Sequence, residues 1–312
     1  MSNKGQNCCL PTGSFDHHLG KATEFELEHV GKRGSRDLVV PLSGGEFDMG
    51  AKDGPHSEDG EGPVRSVFVD AFSIGKCAVT NEEFSNFAEA TGYCTMAEEV
   101  GASFVFCPES GPHTGNLHPA HSPWWKLTDG ACWRNPRGLN RGFDHKRDHP
   151  VVHIAQRDAL AYCKWNGLRL PTEAEWEMAA RGGLHQMPFP WGADLVTDDR
   201  PNSKTWSGDF PFGADPQREM GPVAVTTFEP NNFGLYNMTG NVWERVADRF
   251  TNLHSPRPAR NPKGPLNGHQ FVAKGGSYLC HASYCRRYRT SSRQSLGAEM
   301  TADNIGFRVA SD

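Results

Sequence analysis

The chain has 312 residues, 37% hydrophobic and 22% charged, with a formal net charge of −5, which is the balance of a folded globular protein rather than a disordered one. A negative net charge without any long Lys/Arg run argues against nucleic acid as a partner, and no apolar stretch is long enough to cross a bilayer. The 34 glycines and 22 prolines favour a loop-rich fold of short elements over a helical bundle.

In chain order, residues 1–34 are polar and aperiodic, carry the adjacent Cys8 and Cys9, and read as a mobile arm. The N-terminus lacks the apolar core of a secretory signal, so a cytoplasmic location is the expectation. Order is expected from residue 35 to the end, beginning with a strand at Asp37-Leu38-Val39-Val40-Pro41 and a second over residues 65–70. Thr80 and Glu83 form a capping box that opens a helix with Phe84, Phe87 and Ala88 on one face, ended by Gly92. A second helix is expected from near Asp158 to Trp165, stopping at Asn166-Gly167. A third starts at a capping box of Thr172 and Glu175, buries Trp176, Ala179 and Ala180, and stops at Gly182-Gly183. Residues 107–150 and 185–270 are rich in turn formers and tryptophan and read as long ordered loops, because tryptophan is costly to leave in water. No internal repeat or domain break is visible, so the expectation is one irregular α+β domain.

Nine cysteines, an odd number scattered over a long chain, do not read as a disulfide framework. Most are expected to be buried apolar fillers. Cys280 and Cys285 differ. They sit in Gly275-Gly276-Ser277-Tyr278-Leu279-Cys280-His281-Ala282-Ser283-Tyr284-Cys285, beside Arg286, Arg287, Arg289 and Arg293. Nearby positive charge is expected to raise the thiolate fraction, and paired soft thiolates suit Cu(I). A structural disulfide, a zinc site and a dithiol–disulfide couple are the competing readings, and the spacing alone does not choose among them.

The chain resembles the formylglycine-generating enzyme family, also called sulfatase-modifying factor, from Val39 to the end. The resemblance is carried by Gly44-Gly45-Glu46-Phe47-Asp48-Met49-Gly50, Asp59-Gly60-Glu61-Gly62-Pro63-Val64-Arg65 and Ser103-Phe104-Val105-Phe106. It continues in Pro123-Trp124-Trp125, His149-Pro150-Val151-Val152-His153, Arg169-Leu170-Pro171-Thr172-Glu173-Ala174-Glu175-Trp176-Glu177 and Phe189-Pro190-Trp191-Gly192. It closes with Gly234 to Glu244 and Asn304-Ile305-Gly306-Phe307-Arg308. The thiol segment is the part most specific to the family's oxidases. The resemblance implies a fold shared with C-type-lectin-like domains and a monomer. It implies Cu(I) held by Cys280 and Cys285, with O2 as co-substrate. The client is an unfolded polypeptide, a sulfatase, whose cysteine in Cys-x-Pro-x-Arg becomes formylglycine. Ser277, Trp243 and Tyr284 would complete the catalytic group, and Trp124, His281, Arg289 and Asn304 would contact the client. Asn237, Gly240, Val242 and Glu244 match a family Ca²⁺ site, an all-oxygen donor set suited to a hard cation.

Three departures stand out. Arg245 replaces an aromatic wall residue. Leu296-Gly297-Ala298-Glu299-Met300-Thr301 replaces a segment that lies near the substrate groove in the family. Thr290, Val309 and Ala180 stand at three cysteine positions of secretory-pathway members, leaving Cys163 without its partner, as expected in a reducing compartment. A second Ca²⁺ site matches poorly at Asn202-Ser203-Lys204-Thr205 and Asp215. The alternatives are an oxidase with a different client, a non-catalytic lectin-like binding module, and an iron-dependent sulfoxide synthase. The last is disfavoured because His145 and His149 are followed by Val151 where a glutamate is needed.

Overall fold

The computed structural model describes residues 10–11, 39–108, 124–138, 146–197, 200–211, 213–215 and 219–312. The expectations for Cys8, Cys9, Pro123 and His145, and for the arm over residues 1–34 except at Leu10 and Pro11, lie outside them. Leu10 and Pro11 are both buried.

The elements in order are β1 (Val39–Leu42), β2 (Gly45–Met49), β3 (Arg65–Val69), β4 (Phe72–Gly75), α1 (Asn81–Thr91), α2 (Met96–Val100), β5 (Ala102–Phe106) and β6 (Trp125–Asp129). Then come α3 (Gln156–Asn166), α4 (Glu173–Arg181), β7 (Val196–Thr197), β8 (Arg200–Pro201), β9 (Gly208–Asp209) and β10 (Gly213–Ala214). The chain closes with β11 (Trp243–Arg249), β12 (Ala259–Arg260), β13 (Gln270–Lys274), β14 (Arg293–Gly297), β15 (Ile305–Phe307) and β16 (Ala310–Ser311). Few helices and many short strands make this the mixed, loop-rich class that the sequence implies. No described helix is long and apolar enough to cross a membrane.

Helices α1 and α4 start at the expected capping boxes, with Thr80 and Thr172 each accepting from the backbone three residues on. Helix α3 begins two residues before Asp158, because Asp158 accepts from Ala155 N at 2.8 Å and closes the first turn from inside it. Helix α2 was not expected, although Thr95 and Glu98 form the same box. The stretch read as loop over 107–150 contains β6, paired with β5 along its full length from Ala102↔Asp129 to Phe106↔Trp125. The stretch 185–270 contains β11, which is the middle of the main sheet.

That sheet has the order β14-β13-β11-β15, with β11 antiparallel to β13 and parallel to β15. Side chains alternate across it. Val246 and Val272 pack with Trp176 of α4 on one face, whereas Trp243, Ala273 and Leu296 join the cluster containing Cys280 and Cys285 on the other. Since β14 and β15 lie at opposite edges, residues 298–304 must cross the sheet between them. They do so on the thiol side, where Ala302 bridges to Phe104.

Charged groups are buried where α4 meets the sheet. Lys274, fully buried on β13, reaches Glu177 at 3.0 Å, and Arg293 on β14 holds Glu173 at 2.6 Å and 2.9 Å. Glu177 also receives Arg181 at 2.7 Å and the Gly50 amide at 2.7 Å. Burial acts to raise the Glu177 pKa, but Lys274 and Arg181 outweigh it and hold the carboxyl at about 2. Breaking a buried pair leaves an uncompensated charge, at a cost of about 3–5 kcal/mol. Glu177→Gln is therefore expected to lower the unfolding free energy by about that amount, read as a shifted urea midpoint with an unchanged slope.

Candidate active site

The thiols are carried by the hairpin connecting β13 to β14, residues 275–292, whose base is the pair Lys274↔Arg293. Gly276 has φ 74°, and a Cβ there would lie 2.6 Å from the Arg287 carbonyl oxygen, so only glycine lets the two arms close. Gly275, at φ 90°, packs against the Trp176 ring in the same way. The hairpin is stitched to its surroundings through the backbone: Tyr278 N donates to Asn241 O (2.9 Å), Gly240 N to Gly275 O (2.8 Å) and Trp206 N to Cys280 O (3.0 Å). At the tip, the His281 carbonyl accepts from the amides of Tyr284, Cys285 and Arg286.

Cys280 and Cys285 have no exposed surface, and no disulfide joins them. The disulfide alternative does not describe this structure. Ser277 N lies 3.4 Å from Cys280 Sγ and donates to it. Both sulfurs are near enough to Tyr288 to help burial push its pKa up to about 12. The shell around them is aromatic. Tyr284 meets Trp124 edge-on at 5.6 Å and Phe210 at 5.2 Å, and Trp206 stands edge-on to Phe210 at 5.3 Å. Trp243 is buried in the same cluster, and its indole Nε1 has no hydrogen-bond partner among the described residues.

The structure thus brings Cys280, Cys285, Ser277, Trp243, Tyr284, Trp124 and Asn304 together. Asn304, at the end of the crossover, donates from Nδ2 to Ser277 Oγ at 3.1 Å, and Leu279 N donates to the same oxygen at 3.3 Å. Two expected client contacts are engaged elsewhere. Arg289 pairs with both carboxylate oxygens of Glu61, and His281 Nδ1 is within 2.7 Å of Ser283 Oγ.

The expected electrostatic setting of the thiols is corrected in the same way. Of the four nearby arginines, Arg287 is held by Asp59, Arg289 by Glu61 and Arg293 by Glu173. Each guanidinium charge is locally cancelled. Arg286 is exposed and meets no carboxylate among the described residues; its Nε donates to Ala282 O. The arginines mainly fasten the hairpin. His56 adds a further tie, its Nε2 lying 2.8 Å from the Cys285 carbonyl. The segment from His56 to Glu61 is the part of the site that sequence reasoning missed. Its signal was the set of arginines on a segment bound to be buried, each of which needs an acid.

Two of the departures prove to be one unit. Arg245 is fully buried rather than lining a groove, and burial pushes its pKa down to about 9. Its guanidinium donates to Ile154 O (2.8 Å), to Gln156 Oε1 (3.3 Å), to Gly297 O (3.3 Å) and to Met300 O. It therefore fixes the replaced segment 296–301, whose Leu296 and Met300 are buried in the thiol cluster.

At the expected Ca²⁺ site, Asn237 sits at φ 48° with Nδ2 donating to Val225 O. Its Oδ1 is buried and has no partner among the described residues. The Glu244 carboxylate is already held by Arg308 at 2.6 Å and 2.7 Å and by Trp176 Nε1 at 2.6 Å. A carboxylate has about four lone-pair sites, so one further cation contact is open to it. At the poorly matching second site, Lys204 Nζ donates to Glu219 O at 2.6 Å.

With both thiols enclosed, iodoacetamide is expected to label exposed Cys94 first and to spare Cys280 and Cys285. Asp59→Asn, which weakens the hold on Arg287, is expected to raise labelling of Cys285, measured by peptide mass spectrometry under native conditions.

Residues 25–312 match the family model described as the sulfatase-modifying factor enzyme 1-like domain. The chain is 45% identical over 284 residues to the formylglycine-generating enzyme of Thermomonospora curvata, covering 88% of this chain and 93% of that one. It is 40% identical over 279 residues to the inactive C-alpha-formylglycine-generating enzyme 2 of Mus musculus, covering 88% and 85%. Among solved structures, PvdO from Pseudomonas aeruginosa shares the fold, with a TM-score of 0.66 at 23% identity over 88% of this chain and 94% of that one. A thiol hairpin buried among aromatics, on a fold matched along nearly its whole length, places this chain in the sulfatase-modifying factor family, that of the formylglycine-generating enzymes.

Proposed function

We propose that the protein oxidises a cysteine of a client polypeptide, a sulfatase, to formylglycine, using O2. The observation that carries this reading is the pair of fully buried cysteines, Cys280 and Cys285, brought together without a disulfide near the tip of an anchored hairpin. Structural cysteines need no such anchoring, and a pair kept reduced beside an aromatic pocket suits a soft metal.

Cys280 and Cys285 would hold Cu(I), which supplies a site where a third thiolate and O2 meet. The chain's own groups act around it. Ser277 N directs a hydrogen-bond donor at Cys280 Sγ and so stabilises negative charge on that sulfur. Asn304 fixes the Ser277 hydroxyl, which is placed to donate or accept a proton beside the thiols. Trp243 Nε1 offers a donor that no acceptor among the described residues uses. Trp124, Tyr284 and Phe210 form a wall of touching rings against which a client chain can pack. In the overall change the client Cβ goes from thiol to aldehyde and its sulfur leaves as H2S. O2 is the oxidant, and an added thiol supplies the two remaining electrons as it becomes a disulfide, with water formed.

The calcium reading is supported by the buried, unpaired Oδ1 of Asn237, with the Glu244 carboxylate and the carbonyls of Gly240 and Val242 as the other donors. Ca²⁺ is expected to raise the thermal midpoint by a few degrees, as ligands that bind only the native state do. Asn237→Ala is expected to abolish the increase in a thermal-shift assay.

The similarity to a relative named as inactive makes a non-catalytic member the second reading. The two separate in one assay. The protein loaded with Cu(I) and a reducing thiol is given a Cys-x-Pro-x-Arg peptide in air, and the peptide is weighed. Replacement of H2S by one oxygen, lost in Cys280→Ser and in Cys285→Ser, is the expected result. An unchanged peptide with copper bound would refute conversion of this client sequence.

A further inference from the structure

A cavity of about 260 Å³ is lined by Asn81 of α1, Asp303 of the crossover and Tyr278 of the thiol hairpin. These three are 4%, 4% and 2% exposed. Each carries a buried polar atom with no hydrogen-bond partner among the described residues: Asn81 Oδ1, Asp303 Oδ1 and the Tyr278 hydroxyl. The other polar atoms of the two acceptors are taken. Asn81 Nδ2 donates to Lys146 O at 2.9 Å, which fixes the amide so that Oδ1 is the atom left over. Asp303 Oδ2 accepts from Phe106 N at 3.1 Å and from Arg137 Nη1 at 3.4 Å. Tyr278 and Asp303 are close enough to perturb each other's ionisation, but no hydrogen bond of acceptable geometry joins them.

Buried polar groups are almost always paired, so three orphans around one cavity point to an occupant. Its chemistry follows from theirs. Two are acceptors and the third is a hydroxyl that can accept, so the occupant brings donors. A primary ammonium has three N–H donors and no acceptor. Burial holds the Asp303 carboxyl above its usual range, although Arg137 opposes it; a cation at Oδ1 would favour the ionised form. Arg137 and Lys146, with side chains 38% and 28% exposed, stand at the wetter part of the lining. They balance Asp303 and Glu219, to which they are paired. A lining that is neutral in sum, with acceptors at its buried part and cations at its exposed part, suits a zwitterion. Val152 and Met220 leave apolar surface for a small side chain.

We propose that this cavity binds a small zwitterion of the α-amino-acid type, its ammonium group on Asn81, Asp303 and Tyr278 and its carboxylate toward Arg137 and Lys146. The site is independent of whether the thiols oxidise a client. An occupant ties the hairpin, α1 and the crossover together, so it stabilises the native state.

L-Alanine is titrated into the full chain by calorimetry and by thermal shift, beside glycine betaine, ethylamine and propionate at equal ionic strength. Betaine keeps both charges but has no N–H donor, and the other two carry one charge each. L-Alanine is expected to bind saturably and to raise the thermal midpoint, with the three others weaker by about tenfold or more, the factor that a hydrogen bond to a charged group supplies. Tyr278→Phe removes only a hydroxyl that the described residues leave unpaired, and is expected to weaken L-alanine by about tenfold. Arg137→Gln, at the exposed end, is expected to weaken L-alanine and strengthen ethylamine, a change of preference that mere loss of stability does not produce. No saturable binding, equal binding of all four compounds, or unchanged preference in Arg137→Gln with unchanged affinity in Tyr278→Phe would overturn the proposal and leave the cavity to water alone.

Discussion

The site depends on buried ion pairs that fasten one hairpin from three sides. Arg293 and Lys274 at its base are held by Glu173 and Glu177 of α4, Arg287 by Asp59, and Arg289 by Glu61. Such pairs add little net stability over well-packed apolar groups, because desolvation offsets much of the Coulomb attraction. What they supply is a single allowed arrangement: slipping the hairpin by one residue would strand several charges in a low-dielectric interior. They are found around the hairpin that carries the two cysteines.

This arrangement changes how the positive charge around the thiols should be understood. A cluster of arginines beside cysteines invites the idea of electrostatic activation. Here three of the four are neutralised by specific carboxylates, and one polar group aimed at a sulfur is the uncharged Ser277 amide. Charge therefore serves placement, and the chemistry is left to an apolar pocket in which weak directional contacts count for more. Trp243 Nε1 has no partner among the described residues, and a buried donor left so costs about 1–3 kcal/mol, a cost that a functional site tolerates more readily than a core does.

Arg245 and the segment it binds follow the same logic. A buried guanidinium with carbonyl and amide acceptors as its hydrogen-bond partners ties the crossover 298–304 to the middle of the sheet, and the crossover ends at Asn304, which orients Ser277. A substitution on β11 is thus connected to the thiol hairpin through backbone carbonyls rather than by lining a groove. Leu296 and Met300, held by the same contacts, make that side of the pocket apolar.

The sequence by itself determined what is local or strongly patterned. The capping boxes at Thr80 and Thr172, the glycine stops, and the thiol segment with its paired glycines could all be read directly, because each is decided by residues within a few positions of one another. Strand pairing was less legible. Strands β5 and β11 carry little usable alternation, since they are buried on both faces along most of their length, so the period-2 signal that marks a half-exposed strand is missing. Tertiary structure alone decided which acid meets which arginine, partners more than 100 residues apart in sequence. It also decided that Arg245 turns inward and that Leu10, from a polar stretch, is buried in the same apolar cluster as the thiols. These depend on long-range geometry, which local propensity does not encode: a buried charge is stable only where another part of the chain brings its counter-charge, and a lone apolar residue only where another part leaves it a pocket.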